Sequence, residues 1–442
     1  MMQNFTGAKV GRRRVNRPLL VVVIFVALLA RLAISPFINE LMSPEHINCW
    51  EQGNVAASLV AGHGFGNPFD ATVQSSAIMP PVFPLIVALC FKLFGVRTVA
   101  SVVAVHAFDC FVSALACIPV FLMARHSFGL RVAWWAAWAW ALSPYGIYFS
   151  ATWPWSTHLL LLCLCWLLVL AQQMEHSSRL ALWAGFGLLA GFAGLTEPSI
   201  LVVIPFLLAL ACWRLARDGK RWLVPGCVAG IVMAAALSPW MIRNAMVFHR
   251  FIPMRDGMGL ELWLGNNGRT LHWTNTDLHP MHDMQEQADY DRGELAYMDR
   301  KMQLAKGYIG SHRAWYAARC LRRAVYLWTG YWSFNPAYLA EESMDYANIP
   351  YSTVLTLLGL LGLYMAWHST PFEAIRYAGV LVFFPLMYYF IHPETYRMRP
   401  LDPLIAILGC QAILAVHARA RGAARAKSFQ PVPDLAEAPA AD

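Results

Sequence analysis

Ten apolar runs leave this chain few folds to choose from. They cover residues 18–37, 98–123, 132–149, 156–171, 180–195, 199–215, 222–240, 351–367, 372–391 and 401–416. A bilayer core is crossed by about 20 mostly apolar residues in a helix. Inside it, only helices and closed barrels satisfy their own backbone polar groups. These runs are continuous rather than alternating, so they read as helices. Charged residues make up 14% of the chain, against about a quarter in soluble domains. The fold class is therefore an all-α polytopic membrane protein.

Net charge is +8, which in a soluble chain would raise nucleic acid as a partner. Here the basic residues flank apolar runs: Lys9, Arg12, Arg13, Arg14 and Arg17 before the first, and Arg419, Arg421, Arg425 and Lys427 after the last. Arg125, Arg131 and the 217–221 loop fall on the same side. The positive-inside rule puts all of these in the cytoplasm, which makes membrane lipid the partner and excludes nucleic acid. Both termini are then cytoplasmic, and an even number of spans follows. The opening segment reads as an uncleaved anchor. Short helices at 81–94 and 325–334 should lie at the membrane surface. The ten cysteines show no disulfide or metal spacing.

Three regions result: a basic N-terminus (1–17), an integral membrane domain (18–418) and a tail (419–442) whose end reads as disordered. Two outer loop segments, 38–97 and 241–323, hold most of the polar sequence. The second is too long to be a mere connection and should fold in its own right, with helices over 284–308 and 312–323.

A helix in the first loop is bounded by Ser43 as N-cap, Pro44 at its first position, and Gly62 or Gly64 as its stop. Ile47, Glu51, Val55 and Leu59 share one face, with Glu45, Asn48 and Gln52 opposite. Glu45 is explained by the helix dipole. Glu51, a carboxylate on the apolar side, is costly unless paired or used. Its two readings are a salt bridge to Arg31 and a functional acid.

From Glu51-Gln52-Gly53-Asn54, through Asn67-Pro68-Phe69 and Pro80-Pro81-Val82-Phe83-Pro84, the chain resembles membrane glycosyltransferases of the C (GT-C) superfamily. The resemblance is to bacterial members like the protein O-mannosyltransferases and aminoarabinose transferases. Ser238-Pro239-Trp240 with Arg243-Asn244, Arg255, Leu262-Trp263-Leu264-Gly265-Asn266-Asn267, and His392 to Arg397 extend it over most of 18–418. It implies a bundle of about 10–11 transmembrane helices with interfacial helices in two extracytoplasmic loop regions. It also implies a polyprenyl-phosphate-linked sugar donor and a first-loop acid as base, which here is Glu51. The sequence departs from the pattern at Asn48, where many relatives carry Asp, and at Glu197, where many are neutral or basic. The Tyr396–Arg399 spacing is one residue longer than usual.

The chemistry agrees with this reading. A phosphate leaving group needs charge stabilisation, and guanidinium suits it. Arg243, Arg255, Arg397 and Arg399 fall on the outer face, and for Arg243 and Arg399 snorkelling to headgroups is the other reading. Tyr396 and Asn266 complete the substrate-binding candidates, although a turn accounts for Asn266-Asn267-Gly268 equally well. The cofactor is unknown. A divalent ion has no assignable ligands, and His272, His279, His282 and Asp283 read as a solvated loop. Trp153-Pro154-Trp155 and Trp134-Trp135 read as aromatic belt, and His106 and Asp109 as an intramembrane packing pair. The expected function is transfer of a sugar to a lipid, glycan or protein acceptor at the outer face of a bacterial cytoplasmic membrane. A multi-pass transporter or lipid-linked sugar flippase is the competing class. No internal repeat supports that alternative.

Overall fold

The computed structural model describes residues 17–34, 48–70, 74–270, 276–334, 336, 345–392 and 394–428. Ser43, Pro44, Glu45, Ile47, His272, the N-terminal basic cluster and the end of the tail lie outside them. Among the described residues there are helices and no strands. In order, α1 is Arg17–Ile34, α2 Trp50–Val60, α3 Val82–Phe94, α4 Val99–Leu115, α5 Cys117–Phe128 and α6 Leu130–Ala141. Next come α7 Pro144–Thr152, α8 Thr157–Met174, α9 Leu180–Thr196, α10 Ile204–Arg217, α11 Leu223–Phe248 and α12 Met258–Gly265. The last are α13 Met284–Asp291, α14 Glu294–Ser311, α15 Arg313–Thr329, α16 Asp345–Ser369, α17 Pro371–Phe383 and α18 Asp402–Ser428.

Among the described residues, seven stretches are helical, long and apolar enough to cross a bilayer: Arg17–Ile34, Val99–Phe128, Thr157–Met174, Pro198–Arg217, Leu223–Phe248, Ala347–Ser369 and Tyr396–Arg421. The chain is a multi-pass membrane protein. Three of the ten expected spans differ from these. The 180–195 run is one helix, α9, shorter than the seven. The 132–149 run is broken into α6 and α7, because Pro144 drives Ser143 into the extended region (φ −61°, ψ 120°) and the Ser143 hydroxyl caps Gly146 N–H. The 372–391 run ends as α17 at Phe383, ahead of Pro385, and resumes as a 3₁₀ turn at Leu386–Tyr389. The 325–334 stretch is no separate interfacial helix; its first part is the end of α15.

Small residues set the closest helix contacts. A Cβ on Gly187 would stand 2.3 Å from Ala229 O, and one on Gly191 2.5 Å from the Ala236 methyl. This small-residue stripe, four apart on α9, lets α11 approach at backbone distance. Association inside a bilayer rests on such van der Waals contact, since lipid is as apolar as the helices. The main core runs through α1, α4–α6, α8–α11, α15, α17 and α18.

The loop segments build a second core. Val55, Phe69, Ile78 and Met79 from the first pack with Leu260, Leu264, Leu278, Tyr290, Tyr297 and Met298 from the second. The second loop therefore does not fold on its own, because its apolar face is completed by the first. Glu294 joins them, accepting hydrogen bonds from Ala77 N–H at 2.9 Å and from the Tyr290 hydroxyl at 2.5 Å. Burial raises the Glu294 carboxyl to about 7.

Candidate active site

Glu51 sits one residue into α2, behind a backbone that turns sharply. Cys49 and Trp50 both adopt left-handed conformations (φ 53° and 45°), which cost about 1–3 kcal/mol each in non-glycine residues. Gly53 makes that start sterically accessible: a Cβ there would lie 1.6 Å from Asn48 O. The helix thus begins anew at Trp50 rather than running smoothly through Asn48. It stops as expected, with Gly62 at φ +83° and His63 N–H bonded to Ser58 O in a Schellman arrangement. The expected polar face is wrong at Gln52, which is buried with its amide on Met79 Sδ. The helix is wrapped on both flanks, by α3 and α4 on one side and by the loop core on the other.

Arg31 is not the partner of Glu51. It is fully buried and donates to Ser113 Oγ, Ala27 O, Ala141 O and Trp140 O. Glu51 instead faces the second loop, 3.7 Å from His279 Nε2, with its side chain 13% exposed. Burial depresses the His279 imidazole to about 3, so it is neutral and the contact is not an ion pair. Burial also raises the Glu51 carboxyl to about 7, with nearby Glu261 adding to the effect and Arg255 and Arg397 opposing it. His279 is therefore a half-buried site residue, packed edge-on against Phe69, and not part of a solvated loop.

Three further segments converge here. Pro198 ends α9 and forces Glu197 into an extended conformation (φ −155°, ψ 113°). Glu197 then meets Arg255 at 3.8 Å, and burial raises its carboxyl. Arg255 Nη2 donates to Glu261 Oε1 at 2.9 Å. The 3₁₀ turn Thr395–Leu401 brings up Arg397, whose Nη2 lies 3.2 Å from Glu261 Oε2 and 3.3 Å from His392 Nε2. His392 Nδ1 lies 2.7 Å from Glu261 Oε2. Although burial works against it, Arg397 and His392 hold the Glu261 carboxyl well below the usual range. Beside this set, Trp153 packs against Trp50 and Tyr396 at ring-centroid distances of 4.7 and 5.4 Å, with Trp155 6.0 Å from Tyr396.

The fold therefore unites Glu51, Arg255, Arg397 and Tyr396 but assigns the other candidates elsewhere. Arg243 is spent on the backbone, donating to Ser76 O and Phe65 O, and ties α11 to the first loop. Asn266 is buried, donating to Leu262 O and Phe390 O and accepting from Arg323. Asn267 closes the turn, its Oδ1 accepting from Arg269 and Thr270 N–H. Arg399 lies over the Tyr145 ring and 3.3 Å from Asp402. Glu261 was missed because Leu260–Leu264 reads simply as apolar. Its signal was the one used for Glu51, a carboxylate inside an apolar stretch. Among the described residues, no three His, Cys, Asp or Glu side chains are arranged to hold a metal ion.

The architecture is shared with a solved membrane oligosaccharyltransferase. Residues 79–242 match the family described as dolichyl-phosphate-mannose-protein mannosyltransferase. Among solved structures, the Archaeoglobus fulgidus oligosaccharyltransferase in its apo form is similar at TM-score 0.56 and 13% identity, covering 95% of this chain and 53% of that one. The same protein with Zn and sulfate gives 0.53 and 12%, covering 91% and 49%. ArnT from Cupriavidus metallidurans bound to undecaprenyl phosphate gives 0.40 and 14%, covering 95% and 80%. The chain thus spans about half the length of the oligosaccharyltransferase it matches. No curated protein matches it in sequence.

Proposed function

We propose that this protein is a glycosyltransferase that moves a sugar from a polyprenyl-phosphate donor to an acceptor hydroxyl. Lipid, glycan and protein remain the acceptor classes. In this reading the acceptor oxygen attacks the anomeric carbon as the bond to the phosphate oxygen breaks. The leaving group departs as polyprenyl phosphate, and the acceptor proton passes to Glu51. Attack from the side opposite the phosphate inverts the anomeric centre.

The observation that carries this reading is the pairing of Glu51, poised at about 7, with the two arginines of the same cluster. A base is most effective when its pKa lies near the operating pH, and such catalysis contributes about 10²–10⁴-fold. Arg255 and Arg397 can take the phosphate charge released on the leaving group. The family matched by residues 79–242 is named for a lipid-phosphate-linked mannose donor and a protein acceptor, which supports the donor class. Tyr396 and the tryptophans beside it border the place where the sugar would lie. The same reading makes 18–418 one catalytic domain, puts both termini in the cytoplasm of a bacterium, and turns the loop segments outward.

The test is turnover of candidate polyprenyl-phosphate sugars by purified protein in liposomes, alongside Glu51→Gln. Full activity in the variant would remove Glu51 as base. Solute or lipid movement across the bilayer without sugar transfer would replace the enzyme with a transporter or flippase.

A further inference from the structure

Glu261 is held in its charged form and occupies both arginines at once. Oε1 takes Arg255 Nη2 at 2.9 Å, and Oε2 lies 3.2 Å from Arg397 Nη2 and 2.7 Å from His392 Nδ1. Two oxygens of one anion bridging two guanidinium groups is the arrangement a phosphate makes. The backbone of Glu261 is pinned, its N–H bonded to Gly257 O and its carbonyl accepting from His392 N–H. Only its side chain is left to move. Meanwhile Arg255 Nε and Arg397 Nε are buried and donate to nothing in the structure, so each guanidinium keeps a donor for a further acceptor.

We propose that Glu261 is an internal stand-in for the donor's phosphate: it holds Arg255 and Arg397 together before the donor binds and is displaced when the lipid phosphate arrives. This rests on the donor reading above and adds a regulatory consequence to it. Without a resident anion, two guanidinium groups in a poorly solvated site would repel each other and drift apart. With one, the site stays assembled, but every incoming phosphate must compete with it. The same competition helps eject the spent lipid phosphate after transfer. Glu261 is thus a positioning residue that trades donor affinity for turnover.

The experiment measures binding of undecaprenyl phosphate to the full-length protein in nanodiscs, with undecaprenol, which lacks the phosphate, as control. Glu261→Gln, whose amide oxygen still accepts from the arginines but carries no competing charge, is expected to bind the phosphate about tenfold more tightly than wild type, with undecaprenol binding unchanged. With sugar donor, its KM should fall and its kcat should fall too, because product release slows. Glu261→Asp keeps the charge on a shorter stem that bridges the arginines less well, so it should bind more tightly than wild type by a smaller factor. It decides the matter if the Gln variant does not fold. A residue that merely propped up the arginines would weaken phosphate binding on removal. Equal or weaker binding in the folded variants therefore overturns the proposal while leaving the donor reading intact. Wild type that binds undecaprenyl phosphate no better than undecaprenol overturns the donor reading, and this proposal with it.

Discussion

Removing the Glu51 charge should make the protein more stable as well as inactive. Its carboxyl is raised from 4.5 to about 7, and at about 1.4 kcal/mol per tenfold this amounts to roughly 3 kcal/mol against the ionised form. Between those two values the folded state holds a proton that the unfolded state has released, so stability falls as pH rises through that window. Above about 7 the whole penalty is present, and below 4.5 it has vanished. Glu51→Gln carries no such penalty. Its unfolding midpoint, followed by tryptophan fluorescence in detergent, should exceed that of wild type at about pH 8.5 and converge on it at about pH 4.5. In the same series, wild-type transfer should rise with pH and level off past about 7, while the variant lies about 10²–10⁴-fold below that plateau and shows no such rise. A constant difference in midpoint across the range would refute the buried-carboxylate argument. A flat activity profile would refute Glu51 as the titrating base.

Other consequences follow from the same geometry. Glu261→Gln removes one contribution that raises Glu51, so the midpoint of its pH–activity curve should move to lower pH; an unchanged midpoint means the two carboxylates do not interact. Arg376→Ala strips the buried Glu175 of its 2.5 Å ion-pair partner, and leaving a buried charge alone should cost about 3–5 kcal/mol, read as a lowered unfolding temperature. Gly191→Leu forces a side chain where even a Cβ would lie 2.5 Å from Ala236; separation of α9 from α11 should appear as loss of stability with donor KM little changed in the surviving protein. Arg243→Gln should lower stability, through the bonds to Ser76 O and Phe65 O, more than it raises donor KM. A large KM effect with normal stability would return Arg243 to the binding set.

The fold was largely written in the apolar runs, and their failures are physical. Where 132–149 and 372–391 were read as single spans, Pro144 and Pro385 interrupt them, and hydropathy does not register a missing N–H. Glu51 was visible because a carboxylate stands among Ile47, Val55 and Leu59. Its neighbours were not visible, since they arrive from positions near 197, 255, 279 and 392 and only packing brings those together. Arg243 and Arg255 illustrate the limit. Both are arginines near the end of α11, yet one is bound to backbone carbonyls and the other to two carboxylates. Nothing in their local sequence separates them.

The loop core joins Val55 to Met298, and the charged cluster closes only when Arg397 is in place. During synthesis the site therefore cannot exist until the chain has been made and inserted through Arg397. A stalled or truncated product would present Glu51 without Arg397 and Tyr396. The topology makes closure of the charged cluster a late event, dependent on insertion of the segment that carries Arg397.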